Sequence, residues 1–368
     1  MKSMKRKIIS VLTAAAMLEV LVSCGVKSDG SGAVSAPPVQ EAVQSQEAEQ
    51  SQEAEQTLVT EQPQEAEQLG EENEGNSAGN VTAHEKKEKI YSYICDSFGK
   101  TMLSCQQEST WMGSPDYEIN YIEETTGKLP AMRGLDFMNN DFDGVVQRSK
   151  EWDSKGGIVT ICWHTGVKSS GYQESLDDDP DFDRLLTEGT DEYNELMESW
   201  DKAAKALQDL KESGVPVLWR PFHEFDGQWF WWGKGGKDNF IKLWQMMHDK
   251  FTNEYELDNL IWVLGYSGEV KDGWYPGDGY VDVIGSDTYD NSTNIKAWKK
   301  LVSISDKPMA FHECGNIPSV EKFENDGDIW SWFMIWHTDF ITGNNKKNLT
   351  EVYNSDKVIT LDELPEFD

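Results

Sequence analysis

The residues of this 368-residue chain best equipped for acid–base chemistry gather in two short stretches. The first reads Trp219-Arg220-Pro221-Phe222-His223-Glu224-Phe225-Asp226-Gly227-Gln228-Trp229-Phe230-Trp231-Trp232-Gly233. The second, Lys307-Pro308-Met309-Ala310-Phe311-His312-Glu313-Cys314-Gly315, closes an apolar run with another glutamate. Flat indole faces pack on the C–H surface of a sugar ring while polar groups hold its hydroxyls. Two carboxyl groups are the minimum for breaking a glycosidic bond: one protonates the leaving oxygen, and the other attacks or activates water. At a separation of ~5–5.5 Å such a pair works by double displacement with retention. We assign Glu224 as acid/base and Glu313 as nucleophile. Burial and neighbouring like charges keep the acid protonated, and donors, Tyr289 and Arg220, hold Glu313 ionised.

These groups need a scaffold that brings strand ends together. Short apolar runs predict eight strands: Thr101–Gln106, Pro130–Phe137, Ile158–His164, Pro216–His223, Leu260–Gly265, Val281–Thr288, Pro308–His312 and Ser331–Trp336. Helical patterns separate them, the clearest over Asp191–Ser213, where Leu196, Trp200, Ala203, Leu207 and Leu210 recur at helical spacing and Gly214 follows the end. Near-continuous apolar strands alternating with helices imply a buried parallel sheet, and eight such units fit a (β/α)8 TIM barrel over residues 85–368. A doubly wound open sheet is the competing architecture; the chain shows no Gly-x-Gly-x-x-Gly phosphate loop to support a nucleotide-binding form of it. In a barrel, working residues sit at the C-terminal strand ends. Polar residues collect there: His164, His223-Glu224, Asp287-Thr288-Tyr289, His312-Glu313 and Trp336-His337. Period-two alternation sets Arg220 and Glu224 on one side of the fourth strand, and Asp287 with Tyr289 on one side of the sixth.

The rest of the chain bounds the partners. A net charge of −33 repels phosphates and argues against nucleic-acid binding. Lys2, Lys5, Arg6 and Lys7 precede an apolar run from Ile8 to Val22, and Leu21-Val22-Ser23-Cys24 closes it. Residues 1–24 thus read as a bacterial lipoprotein signal with Cys24 lipidated, which predicts an exported, membrane-anchored protein. Residues 25–84 repeat Gln-Glu-Ala-Glu-Gln at 46–50, 52–56 and 64–68 and lack the apolar content to fold, so they read as a disordered acidic tether. The first of the fifteen tryptophans is Trp111. Cys105, Cys162 and Cys314 lie in or beside strands and read as buried thiols; a Cys95–Cys105 bridge stays open. Cysteine and histidine spacings match no metal motif, so neither metal nor cofactor is expected.

The stretch Trp219 to Gly233 resembles the acid/base motif of glycoside hydrolase family 26, chiefly β-mannanases on a (β/α)8 barrel. Phe311-His312-Glu313-Cys314-Gly315 is similar to that family's nucleophile strand, and Gly285-Ser286-Asp287-Thr288-Tyr289 to its sixth-strand motif. The likeness covers residues 95–365. It implies that His223 touches the sugar at the cleavage site, that Tyr289 bonds the nucleophile, that Trp229 and Trp336 stack on or wall the sugars, and that His164 binds on the non-reducing side. Arg220, Trp232 and Asp287 complete the expected substrate-binding set. Two departures, Phe225-Asp226 for Met-Asn and Cys314 beside the nucleophile, bear on fine subsite specificity. The resemblance implies a monomeric, retaining, endo-acting β-1,4-mannanase acting on mannan, glucomannan or galactomannan. The alternatives are β-1,3-xylanase, mixed-linkage β-glucanase, and a lipoprotein that binds polysaccharide without cleaving it. A pure binder has no need of two carboxylates.

Overall fold

The computed structural model describes residues 81–168 and 171–368. The expected signal, the lipidation site Cys24 and the tether as far as residue 80 lie outside the described residues. Eight parallel strands are arranged in chain order: β1 (Met102–Gln107), β2 (Met132–Asp136), β3 (Ile158–Cys162), β4 (Val217–Arg220), β5 (Leu260–Tyr266), β6 (Val283–Thr288), β7 (Met309–Cys314) and β8 (Trp332–Ile335). Strand β8 returns to β1, and β1 pairs with β2, so the sheet is a closed barrel and the open doubly wound alternative is excluded. A two-residue strand, β9 (Val358–Ile359), adds to the start of β1.

Helices follow the strands as α2 (Tyr117–Thr126), α3 (Phe142–Asp153), α4 (Asp191–Glu212), α5 (Lys237–Asp249), α6 (Ile295–Val302), α7 (Val320–Asp326) and α8 (Lys346–Tyr353), with shorter helical turns between them. Their outward-facing strand partners and inner helix faces form one hydrophobic layer. Inside the barrel a second cluster draws from every strand: Leu103, Met132, Ile158, Leu218, Ile261, Val283, Ala310 and Trp332. A helix preceding the barrel, α1 (Ala83–Ser97), adds Ile90 and Ile94 to this inner cluster, and Phe367 joins them from the other end of the chain. These side chains close the N-terminal mouth. Helix α1 starts within the stretch expected as tether, because Thr82 and Glu85 form a reciprocal capping box that satisfies its first turn.

Two strand ends depart from regular alternation, and both matter for chemistry. Strand β4 stops at Arg220 rather than His223, since Pro221 has no N–H to give and Phe222 turns left-handed at φ 51°. Strand β7 carries one extra residue: Gly285 faces Ala310 but Asp287 faces Glu313, and on the other side Phe311 faces Phe333 but Cys314 faces Ile335. This bulge turns both His312 and Glu313 toward the barrel interior, where alternation would send one outward. Both reach the same atom, Arg220 Nη1, at 3.3 and 2.7 Å. Room for the His312 ring comes from Gly265 and Gly285, where an added Cβ would lie 2.5 and 2.7 Å from it. All four cysteines of the described residues are free, Cys95 exposed and the other three buried.

At Gly285 the added Cβ would also lie 2.5 Å from the Ala310 carbonyl oxygen, which cannot swing aside. Gly285→Ala is therefore expected to destabilise the barrel by about 1–3 kcal/mol, read as a lowered Tm in a thermal melt.

Candidate active site

Side chains from β3, β4, β6, β7 and β8 converge at the C-terminal mouth. Glu313 is 3% exposed, and both its oxygens accept hydrogen bonds. Arg220 Nη1 donates to Oε1 at 2.7 Å, and the Tyr289 hydroxyl donates to Oε2 at 2.8 Å. His223 Nε2 lies 3.6 Å from the same Oε1. Burial pushes Arg220 down, but the adjacent Glu313 more than reverses this and leaves the guanidinium firmly charged. A guanidinium and a phenol aimed at one carboxylate are the surroundings that suit an anionic nucleophile.

Glu224 arrives differently. It lies four residues past β4 in left-handed conformation at φ 54°, between Phe222 at 51° and Gln228 at 66°. Each such residue costs on the order of 1–3 kcal/mol, so the surrounding structure must hold the loop. The Glu224 N–H donates to the Gly265 carbonyl at 2.7 Å. Asp226 accepts from the N–H groups of Ser267 and Lys271 at 2.7 and 2.8 Å. Phe225 stacks on Phe240 at 4.0 Å, and the indole N–H groups of Trp231 and Trp232 donate to the carbonyls of Thr165 and His223. The aromatic run after the glutamate is mostly an anchor for the loop.

Burial, then the charges of Asp287 and Glu313, push the Glu224 carboxyl well above the ordinary carboxylate range. A proton-carrying acid at neutral pH is what the acid/base role needs. The indole N–H of Trp229 donates to Glu224 Oε2 at 2.9 Å and opposes that shift. Gly227 makes this contact reachable, because a Cβ there would sit 2.0 Å from the Trp229 ring. Asp287, also raised by burial and by Glu313, lies 3.0 Å from His312 Nε2. His223 is pulled well below the ordinary imidazole value by burial and by Arg220, so it serves as a neutral donor or acceptor.

The expected site residues therefore assemble, with different parts to play. Tyr289 is 38% exposed and Trp229 and Trp336 are half-buried, so these present faces to the groove. His164 borders it, 4.6 Å ring to ring from His223 and 6.2 Å from Trp336. Arg220, Trp232 and Asp287, expected among the sugar contacts, are buried to within 2%, as His223 is, and each has a neighbour inside the protein. Arg220 serves Glu313, Trp232 holds the His223 carbonyl, and Asp287 lies against His312 Nε2 beside the glutamates. The alternation that set Arg220 beside Glu224 ends at Pro221, so their shared site rests on the turn. Asp136 and Gly227 carry weight that the sequence reading missed. Asp136 closes β2 as polar residues close the other strands, but Phe137 follows it and hid that signal in an apolar run.

The model of glycosyl hydrolase family 26 matches residues 80–363. A mannan endo-1,4-beta-mannosidase of Thermothelomyces thermophilus is 32% identical over 316 residues, covering 78% of this chain and 63% of that protein. The chain thus spans under two thirds of that relative's length. The solved beta-(1,4)-mannanase of Podospora anserina superposes with a TM-score of 0.68 at 30% identity, over 78% of this chain and 68% of that one. The beta-mannanase of a symbiotic protist of the termite Reticulitermes speratus, solved with a gluco-manno-oligosaccharide, gives 0.69 at 32% identity, over 76% and 95%.

Trp229→Phe keeps an aromatic face, though a smaller one, and removes the N–H that favours the ionised form of Glu224. The acid then holds its proton to higher pH, so the basic limb of the kcat/KM profile is expected to move to alkaline pH. A basic limb that stays in place or moves to acid pH would contradict the assignment of Glu224 as the acid.

Proposed function

The chain belongs to glycosyl hydrolase family 26, and from that premise we propose that it is a retaining, endo-acting β-1,4-mannanase. One observation carries this reading: two buried glutamates share a mouth but sit in opposite electrostatic settings. Glu313 faces a guanidinium and a phenol, whereas Glu224 faces other acids and an apolar wall.

The mechanism follows from those settings. Glu224 delivers its proton to the glycosidic oxygen while a Glu313 oxygen attacks the anomeric carbon from the opposite face, giving a covalent glycosyl–enzyme. Glu224, now ionised, takes a proton from water, which attacks the same carbon and releases Glu313. Tyr289 and Arg220 hold the attacking carboxylate in place, and neutral His223 is placed to bond a hydroxyl at the cleavage point. Trp229 and Trp336 supply the flat faces for the sugars on either side. The similarity to proteins named as mannan endo-1,4-beta-mannosidases favours mannan-type chains over β-1,3-xylan or mixed-linkage glucan. In this reading the enzyme works as a monomer without a cofactor, exported and held by a lipid on Cys24 at the end of an extended acidic tether.

Incubation with mannan, glucomannan, β-1,3-xylan and barley glucan tests the substrate. Mannan and glucomannan should be cut to short oligomers whose first-formed anomer is β by proton NMR; turnover of barley glucan alone refutes the reading. Glu224→Gln should lower kcat by about 10²–10⁴-fold on natural chains. The anchor is checked by labelling cells with radioactive palmitate, which Cys24→Ala should abolish.

A further inference from the structure

His164 is 3% exposed and borders the groove, yet it carries an ionic partner that the chemistry above does not use. Asp136, closing β2, holds the residue at two points, ring and backbone. The ring Nδ1 lies 2.5 Å from Asp136 Oδ2, and the His164 backbone N–H donates to Oδ1 at 3.0 Å. Oδ1 also accepts from the Met138 N–H at 2.9 Å, which fixes the carboxylate itself. The remaining edges of the imidazole are packed by Tyr172 at 5.1 Å, Phe230 at 5.3 Å, His223 at 4.6 Å and Trp336 at 6.2 Å. Its orientation is thus set on every side before a sugar arrives.

We propose that Asp136 is a positioning residue that, through His164, fixes both the tautomer and the positive charge of the imidazole bordering the sugar groove. This rests on reading the groove as the sugar site. An imidazolium with Nδ1–H committed to a carboxylate can offer only its other N–H, a directed charge-assisted donor for a sugar hydroxyl. The same charge acts on His223, whose neutral state His164 helps to enforce.

The charged groups around the ring balance in favour of protonation. Burial and Arg220 on β4 push His164 down, but Asp136 and Glu313 on β7 more than offset them, leaving it above the ordinary imidazole value. Asp136 is pushed up by burial but held below the usual carboxylate range by His164 and by its backbone donors. His223 and His337 are both depressed, so they add no competing cation, and the Cys162 thiol beside Asp136 is pushed well up and stays neutral.

The test compares the wild-type protein with Asp136→Asn and Asp136→Glu, each checked for folding by its melting curve. NMR titration of the histidine rings, with His164 assigned through His164→Gln, reads the charge directly. We expect His164 to titrate above about 6.5 in the wild type and below it in Asp136→Asn. We also expect kcat/KM of Asp136→Asn to fall about 10-fold at pH 7, with the loss shrinking as pH is lowered and Asp136→Glu recovering part of it. A His164 titration unmoved by Asp136→Asn, or a loss equal at every pH, overturns the proposal. Failure of the wild type to cleave any mannan would instead strike the proposed activity and leave the titration result standing.

Discussion

Arg220 and Glu313 meet at 2.7 Å where almost no water reaches, and that contact sets terms for everything around it. Burying a charge costs several kcal/mol unless partners replace its hydration, and removing one member of a buried pair typically costs about 3–5 kcal/mol. The mouth of the barrel meets this demand by placing a guanidinium and a phenol on Glu313 and only a neutral indole N–H on Glu224. Asp287 is a third buried acid beside both, and burial with these neighbours pushes the Glu224 carboxyl well up. The bulge in β7 belongs to the same arrangement. It brings His312 and Glu313 to one guanidinium, which a regular strand cannot do.

The division between rigid and open surface follows. The loop after β4 holds three non-glycine residues in left-handed conformation, and Trp231 and Trp232 spend their N–H groups on backbone carbonyls. Most of the aromatic richness near Glu224 therefore works as scaffolding. The faces left open come from separate places: Trp229 on that loop, Tyr289 after β6, and Trp336 after β8. A chain lying across them would touch three elements that cannot shift independently, because each is tied to the strand beneath it.

Much of this was legible in the residues. The eight apolar runs become the eight strands, in order and within a few residues at each end. The long helix at Asp191–Glu212 stands where Leu196, Trp200, Ala203, Leu207 and Leu210 put it, with Gly214 left-handed just beyond. Glu224 and Glu313 are brought to one mouth, and Tyr289 bonds Glu313 as the resemblance implied. What local pattern hides is register. The extra residue in β7 exists only relative to its neighbours, so no spacing within β7 reveals it. The burial of Arg220, Trp232 and Asp287 depends on how deep each strand end sits, which residue type does not encode. Helix α1 begins two residues before the expected end of the tether, where the Thr82–Glu85 pair caps its first turn.

The plug at the N-terminal mouth has a consequence of a different kind. Helix α1 and Phe367 both pack against the bottom of the barrel, and Lys86 pairs with Asp368 there at 3.1 Å. Both ends of the folded body therefore leave from the side facing away from the glutamates. A fusion partner, an affinity tag or a bead coupled at either end would leave the groove unobstructed, so the protein can be immobilised with its mouth open to solution.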